Sequence, residues 1–330
     1  MLNKNSKLHK NTLDKDKLEM VPTRNGFGDG LVELGEKNPN IVALCADLAE
    51  STRMQAFKDK FPDRYVEMGV AEQNLATVAA GMAAMGKVPF IASYAAFSPG
   101  RNNEQIRTTI SLNESNVKIV GSHAGVSVGP DGATHQALED IGLMRMQPNM
   151  TVVVPSDAEE ARKATLAIGK TDRPSYIRLG RSKSPVFTTK DTPFAIGKAQ
   201  LFYDAEEPIV GIIGAGAVLH NALLAAHEMT EHGVPTSVLN LATVKPMDKK
   251  AVVEFAKQCG AIVTVEEHQI AGGLGSAVAE VLASEHPVPM EFIGVHDQFG
   301  QSGDPDELIA HYKMDKDSIK NAIEKVLKRK

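Results

Sequence analysis

One carboxylate, Glu72, opens the stretch GVAEQNLATVAAGMAAMG, which is otherwise built mainly of Ala, Gly, Met and Val. An acid in the first turn of a helix is favoured by the helix dipole, by a few tenths of a kcal/mol to about 1 kcal/mol, and that alone could account for it. The composition of the helix argues for more. So many small residues let another backbone approach closely, and a carboxylate at such a seam is desolvated, which suits proton transfer. Farther on, GSHAGVSVGPDGATHQALED carries His123, Asp131 and His135 in one glycine-rich stretch without regular periodicity. Singly, each His is more often a structural hydrogen bonder than a catalyst. Gathered in a loop behind a strand's carboxyl end, where α/β sheets place their ligands, the three residues read as functional.

Other apparent motifs dissolve on inspection. GAGAVL, from Gly214 to Leu219, follows a strand and opens a helix as a dinucleotide fingerprint would, but Leu219 stands where the third glycine belongs. It reads as a tight strand–helix turn. In HEMTEH, His227 and His232 are five positions apart, which at about 100° per residue turns them away from each other by roughly 140°, so they cannot share a metal. Neither a Gly-x-Ser-x-Gly elbow nor a Walker loop is present.

The elements that must position these residues alternate regularly. Short β-branched runs occur at NIVALCAD, RYVEMG, VPFIAS, NVKIVGS, MTVVVPS and SYIRLG. Between them lie helical patterns: Phe27, Leu31 and Leu34 on one face, then Ala71 to Met85, Asn103 to Leu112, and DAEEARKATLAIG capped by Ser156 or Asp157. A second series runs through PIVGIIGAG, PTSVLNLA, AIVTVEEH and PMEFIGV to a basic C-terminal helix. This predicts an α/β fold of two domains, each a mainly parallel sheet covered by helices. The expected boundaries are a polar arm over residues 1–21 that is free to fray, a first domain over 22–185, a linker over 186–197 and a second domain over 198–330. Glu266, Glu267 and His268 read as a strand end that serves packing or an interface.

Composition narrows the partners. With 330 residues, 42% of them hydrophobic, the chain can bury a large core. A formal charge of −5, without a basic cluster interleaved with aromatics, argues against nucleic acid or an anionic membrane as main partner. No apolar run approaches the ~18 residues of a membrane span, and the N-terminus lacks a signal peptide's apolar core. Cys45 and Cys259 both lie in or beside apolar runs, and as buried reduced thiols they fit a cytoplasmic protein.

DRYVEMGVAEQNLATVAAGMAAMGKVPFIASYAAF, GSHAGVSVGPDGATHQALEDIGLMRMQPNMTVVVPSD and IRLGRS resemble the pyrimidine-binding domain of transketolase. GIIGAGAVLHNAL through VTVEEHQIAGGLGSAVAE resembles that family's C-terminal domain. The resemblance runs from Pro22 to the C-terminus and lacks the diphosphate-binding domain that precedes these two in a full-length transketolase. It implies the C-terminal subunit of a split transketolase, which moves a two-carbon ketol unit from a ketose phosphate to an aldose phosphate in the pentose phosphate pathway. Glu72 matches the glutamate that bonds the aminopyrimidine ring of thiamine diphosphate. Tyr94 and Phe97 match aromatic walls of that ring's pocket, whose third aromatic would fall at Gly100, and Asp47 and Leu48 match residues beside the thiazolium. His123 and Asp131 match groups around the donor hydroxyls, His123 as a second catalytic residue. Arg24, Ser51, His135 and Arg181 match phosphate contacts.

Gly28-Asp29-Gly30 spells the start of the family's diphosphate–metal motif, which there follows a strand and is completed by Asn-Asn about 25 to 30 residues later, so that Asp and Asn hold the metal. Here it falls inside the Phe27–Leu31–Leu34 helix, and the nearest Asn-Asn, Asn102-Asn103, is far too distant. The match is accidental. The resemblance therefore implies that Mg2+ or another divalent cation, with the diphosphate, is held by an N-terminal partner subunit, in a heterotetramer with two copies of each chain. The β subunit of a 2-oxo acid dehydrogenase has similar size and an equivalent glutamate, but its substrates carry no sugar phosphate. A non-catalytic paralogue kept as a binding subunit is the other alternative. The 1-deoxyxylulose-phosphate synthases share the DGxTH pattern but join it to their own N-terminal domain.

Overall fold

The β-branched runs become the strands of two helix-covered sheets in a computed structural model that describes residues 1–330. In chain order the strands are β1 (Met20–Val21), β2 (Ile41–Cys45), β3 (Tyr65–Glu67), β4 (Val88–Tyr94), β5 (Lys118–Ser122), β6 (Thr151–Val153), β7 (Ser175–Arg178), β8 (Ser184–Pro185), β9 (Gln200–Tyr203), β10 (Val210–Gly214), β11 (Thr236–Asn240), β12 (Thr243–Lys245), β13 (Ile262–Gln269) and β14 (Met290–Val295). The helices are α1 (Thr23–Lys37), α2 (Gln55–Lys60), α3 (Glu72–Ala84), α4 (Asn103–Gln105), α5 (Asp140–Met146), α6 (Ala158–Ile168), α7 (Leu219–Glu231), α8 (Lys249–Cys259), α9 (Leu274–Glu285), α10 (Pro305–His311) and α11 (Lys316–Leu327).

The first sheet has the order β12-β6-β7-β5-β4-β2-β3, parallel except at β12. The second runs β14-β13-β10-β11-β9, parallel except at β9. The central strands β2, β5 and β10 are buried along their whole length, and β2 and β10 are continuous apolar runs rather than alternating ones. β12 comes from the second half of the chain and adds an antiparallel edge to the first sheet beside β6. Across the same seam the Val154 amide donates to Ala242 O at 2.7 Å and the Asn240 side chain to Glu160 Oε1 at 2.7 Å. One core cluster runs through both halves, from Val42 and Leu44 to Leu274 and Leu282.

Of the two candidate caps Asp157 is the one that acts at α6: its Oδ1 accepts the Glu160 amide at 2.9 Å, while Ser156 donates its amide and its hydroxyl to Glu160 Oε2, each at 2.7 Å. The Gly28-Asp29-Gly30 tripeptide lies in α1 as its sequence pattern requires, with Phe27 and Leu31 fully buried and Asp29 exposed. Its glycines serve contact. A Cβ at Gly26 would stand 1.7 Å from Ala158 O, and one at Gly30 would stand 2.9 Å from the Thr165 side chain, so α1 packs directly onto α6.

One expectation is refined and one corrected. Residues 103–111 are helical as expected, but α4 passes directly into a π-helix over Ile106–Ser111. Thr109 and Asn113 side chains bond the carbonyls of Gln105 and Thr108, a competition that widens the ladder. The arm is not frayed: Asn3 N–H donates to Phe202 O, His9 N–H to Phe187 O, and β1 pairs with β8. His220, only 2% exposed, bonds Thr12 O through Nε2 at 2.8 Å and fixes the arm to the second half.

Candidate active site

The carboxyl ends of β2, β4, β5 and β7 point the same way, and the candidate residues follow them. Asp47 and Leu48 follow β2, Tyr94 ends β4, His123 follows β5, Arg181 lies just past β7, and Arg24 stands in the first turn of α1. Parallel α/β sheets place ligands at this edge.

His123 is the hub. It is 2% exposed and holds a left-handed backbone (φ +55°), a strained conformation for a non-glycine residue. Tyr94 stacks on its ring at 3.8 Å between centroids. Its Nε2 faces Arg24 Nη1 at 3.1 Å and its Nδ1 faces Ser122 Oγ at 2.9 Å. Burial, then the charges of Arg24 and Arg181, push its pKa down to about 3. The ring is neutral, with Nε2 accepting from Arg24 and Nδ1–H donating to Ser122. Phe97 stacks on Tyr94 at 6.1 Å, and His135 meets Phe97 edge-on at 5.3 Å.

Arg24, half-buried, donates to Ser51 O at 2.7 Å, while its Nε is buried without a partner. Such an orphaned donor, close to Arg181, suits an anion. Arg181 itself donates to Val128 O at 2.9 Å. Ser51 does not cap a helix, since the adjacent α2 starts at Gln55 with Met54 before it. Asp131 is exposed and unpaired, and Asp47, at φ +59°, donates its amide to Glu67 Oε1 at 2.7 Å.

Glu72 is 1% exposed at the first residue of α3. Ser93 Oγ donates to its Oε1 at 3.3 Å and Arg101 Nη1 to its Oε2 at 2.5 Å. The Arg101 guanidinium also lies over the Phe97 ring, 4.7 Å from its centroid, and so bridges Glu72 to the aromatic wall. Sequence reasoning missed Arg101, because nothing in its spacing ties it to Glu72. At Gly100 a Cβ would stand 2.1 Å from Ala96 O, so this backbone accepts no third aromatic there, and Arg101 covers the gap.

Residues 19–186 match the family model "Transketolase, pyrimidine binding domain", and residues 197–319 match "Transketolase, C-terminal domain". A 6-deoxy-6-sulfo-D-fructose transketolase subunit from Clostridium sp. strain MSTE9 is 40% identical over 314 residues, 95% of this chain and 97% of that protein. A subunit of an apulose-4-phosphate transketolase from Phocaeicola vulgatus is 38% identical over 311 residues, 94% of this chain and 99% of that protein. Among solved structures, a split gene transketolase described as an inactive beta4 tetramer superposes with a TM-score of 0.87 at 43% identity, over 93% of this chain and 99% of that one.

Proposed function

The chain belongs to the transketolase family, and from that premise we propose that it is the C-terminal subunit of a two-chain transketolase, moving a two-carbon ketol unit between sugar phosphates. The observation that carries this reading is the joining of a buried Glu72 with the Arg24–His123–Tyr94–Phe97–His135 cluster at one sheet edge. The Gly-Asp-Gly tripeptide lies inside α1, packed on α6, rather than after a strand, which supports a diphosphate and metal site carried by another chain. An N-terminal partner subunit with Gly-Asp-Gly and Asn-Asn then supplies the diphosphate and Mg2+ site, in a heterotetramer with two copies of each chain.

The residues present fit thiamine diphosphate's aminopyrimidine ring. Tyr94 and Phe97 offer flat faces beside the buried Glu72 carboxylate, a pairing that suits a heterocycle with a basic nitrogen. When bound, the cofactor supplies the carbon that accepts the ketol unit. Glu72 would bond the ring nitrogen, with Ser93 and Arg101 orienting its carboxylate. Asp47 and Leu48, just past β2, would lie beside the thiazolium. Neutral His123, acting with Asp131, receives the donor hydroxyls. Arg24, Ser51, His135 and Arg181 hold the phosphate, where arginine's planar fork matches a dianion.

We further propose the sugar phosphates of the pentose phosphate pathway as substrates and the cytoplasm as location. Relatives named for a sulfo-sugar and for apulose 4-phosphate make the substrate the point to test. The decisive experiment co-expresses the chain with its partner subunit and assays ketol transfer from xylulose 5-phosphate, 6-deoxy-6-sulfofructose and apulose 4-phosphate, with calorimetry of thiamine diphosphate on the isolated chain. Preference for xylulose 5-phosphate, and no micromolar binding by the chain alone, is the expected result. Ketol transfer by the isolated chain would overturn the two-subunit reading.

A further inference from the structure

The loop of residues 123–136 carries three of the proposed substrate contacts, yet its shape is held from the second half of the chain. Glu267, near the end of β13 and 6% exposed, accepts the Ser127 amide on Oε1 at 2.7 Å. Gly125 packs on the same carboxylate: its φ is +91°, and a Cβ there would stand 2.2 Å from Glu267 Oε1. Arg178 locks the seam by donating to Glu267 O at 2.7 Å and through Nε to Asp140 Oδ2 at 2.9 Å. Farther along, the Gln136 side chain donates to Val126 O, Gly129 O and Gln301 O, the last also from the second half.

The brace matters because the loop begins in strain. His123 is left-handed, a conformation that persists only where its surroundings over-determine it. Two residues on, Gly125 must accept both a positive φ and close contact with a carboxylate. If Glu267 withdrew, the Ser127 amide would lose its acceptor and the turn behind His123 would be free to relax.

We infer that Glu267 is a positioning residue for substrate, reaching from the second domain to fix the loop that presents His123, Asp131 and His135. This deepens the proposed transketolase reading and rests on it. The test uses the assembled complex with partner subunit, thiamine diphosphate and Mg2+. Glu267→Leu removes the acceptor at similar volume. It is expected to lower kcat/KM by about tenfold to a hundredfold on xylulose 5-phosphate and to lower it also on unphosphorylated hydroxypyruvate, since the loop presents His123 to the hydroxyl common to both as well as His135 to the phosphate. Glu267→Gln keeps an acceptor oxygen and is expected to recover most of that loss. Hydrogen exchange at the Ser127 amide should speed in the Leu variant while amides within β13 stay protected. If Glu267→Leu does not fold, Gly125→Ala presses on the same contact from the loop side and should give the same kinetic signature. Lost Ser127 protection with unchanged kcat/KM would overturn the inference, as would a Gln variant as damaged as Leu. Arg181→Ala separates the two claims. If it harms only the phosphorylated donor while Glu267→Leu does nothing, the positioning role fails and the transketolase reading stands.

Discussion

In the proposed site Arg181 and Glu72 have different roles, and their variants should fail differently. A charge-assisted hydrogen bond contributes about 1.5–3 kcal/mol, and 1.4 kcal/mol is about a factor of ten. Arg181→Ala should therefore raise KM for xylulose 5-phosphate by roughly tenfold to a hundredfold, with a smaller change in kcat, because the phosphate binds ground and transition states alike. Hydroxypyruvate, which has no phosphate, should react at near wild-type rate. An equal loss on both donors would make Arg181 a structural residue, holding Val128 O. Glu72→Gln keeps the shape of a fully buried side chain but not its proton. General acid–base groups contribute roughly a hundredfold to ten-thousandfold, and steady-state rates on the assembled complex should fall by at least that. Near-normal turnover would leave Glu72 as a helix-end acid bonded to Arg101.

Two helices that carry glycine make opposite predictions at the level of the element. On α1, Gly26→Ala would force a methyl to 1.7 Å from the Ala158 carbonyl, against backbone that cannot yield cheaply. Overpacking of this kind costs about 1–3 kcal/mol or more, visible as a lower urea midpoint. On α3, a Cβ at Gly81 meets nothing within 4 Å, so Gly81→Ala should stabilise the isolated chain by about 0.5–1 kcal/mol. If that face seats another subunit, the same methyl should weaken assembly, which urea midpoints miss and sedimentation detects. The sequence made α1 and α3 readable because their patterns are long. The main strands of both sheets were readable because apolar runs bounded by turns have few other solutions. β1, β8, β9 and β12 are two to four residues long, and their pairing depends on partners far away in the chain. The site divided in the same way. Arg24, Tyr94, Phe97, His123 and His135 meet because strand ends converge, whereas Arg101 and Glu267 act through contacts that no spacing announces.

Across the whole molecule, the two halves and the arm share buried polar contacts, among them that of His220 with Thr12 O. Burial pushes the pKa of His220 down to about 4, from an ordinary 6.5. Because the folded value is the lower one, the associated stability is present above pH 6.5 and is lost as pH falls toward 4. The His220 part of the change between about pH 7 and pH 5 should be about 2 kcal/mol, read as the difference between wild type and His220→Gln in urea denaturation at both values, because the buried Glu160, pushed up to about 7, titrates in the opposite sense. The arm, held at Thr12 O by this ring, should be where acid first loosens the fold. The strand exchange at β12 has a different consequence. Residues 187–196, which lie between the two matched domains, tie them covalently, but β12 clasps the first sheet from across that tie, and the core behind it belongs to both halves. A protease that nicks the tie should release nothing: the two fragments should co-elute, keep the cleft between them, and reassemble when expressed from separate reading frames. The first fragment alone would expose β6 as a bare edge, inviting aggregation. The clasp and the shared core, more than the covalent tie, would then hold the two halves as one body.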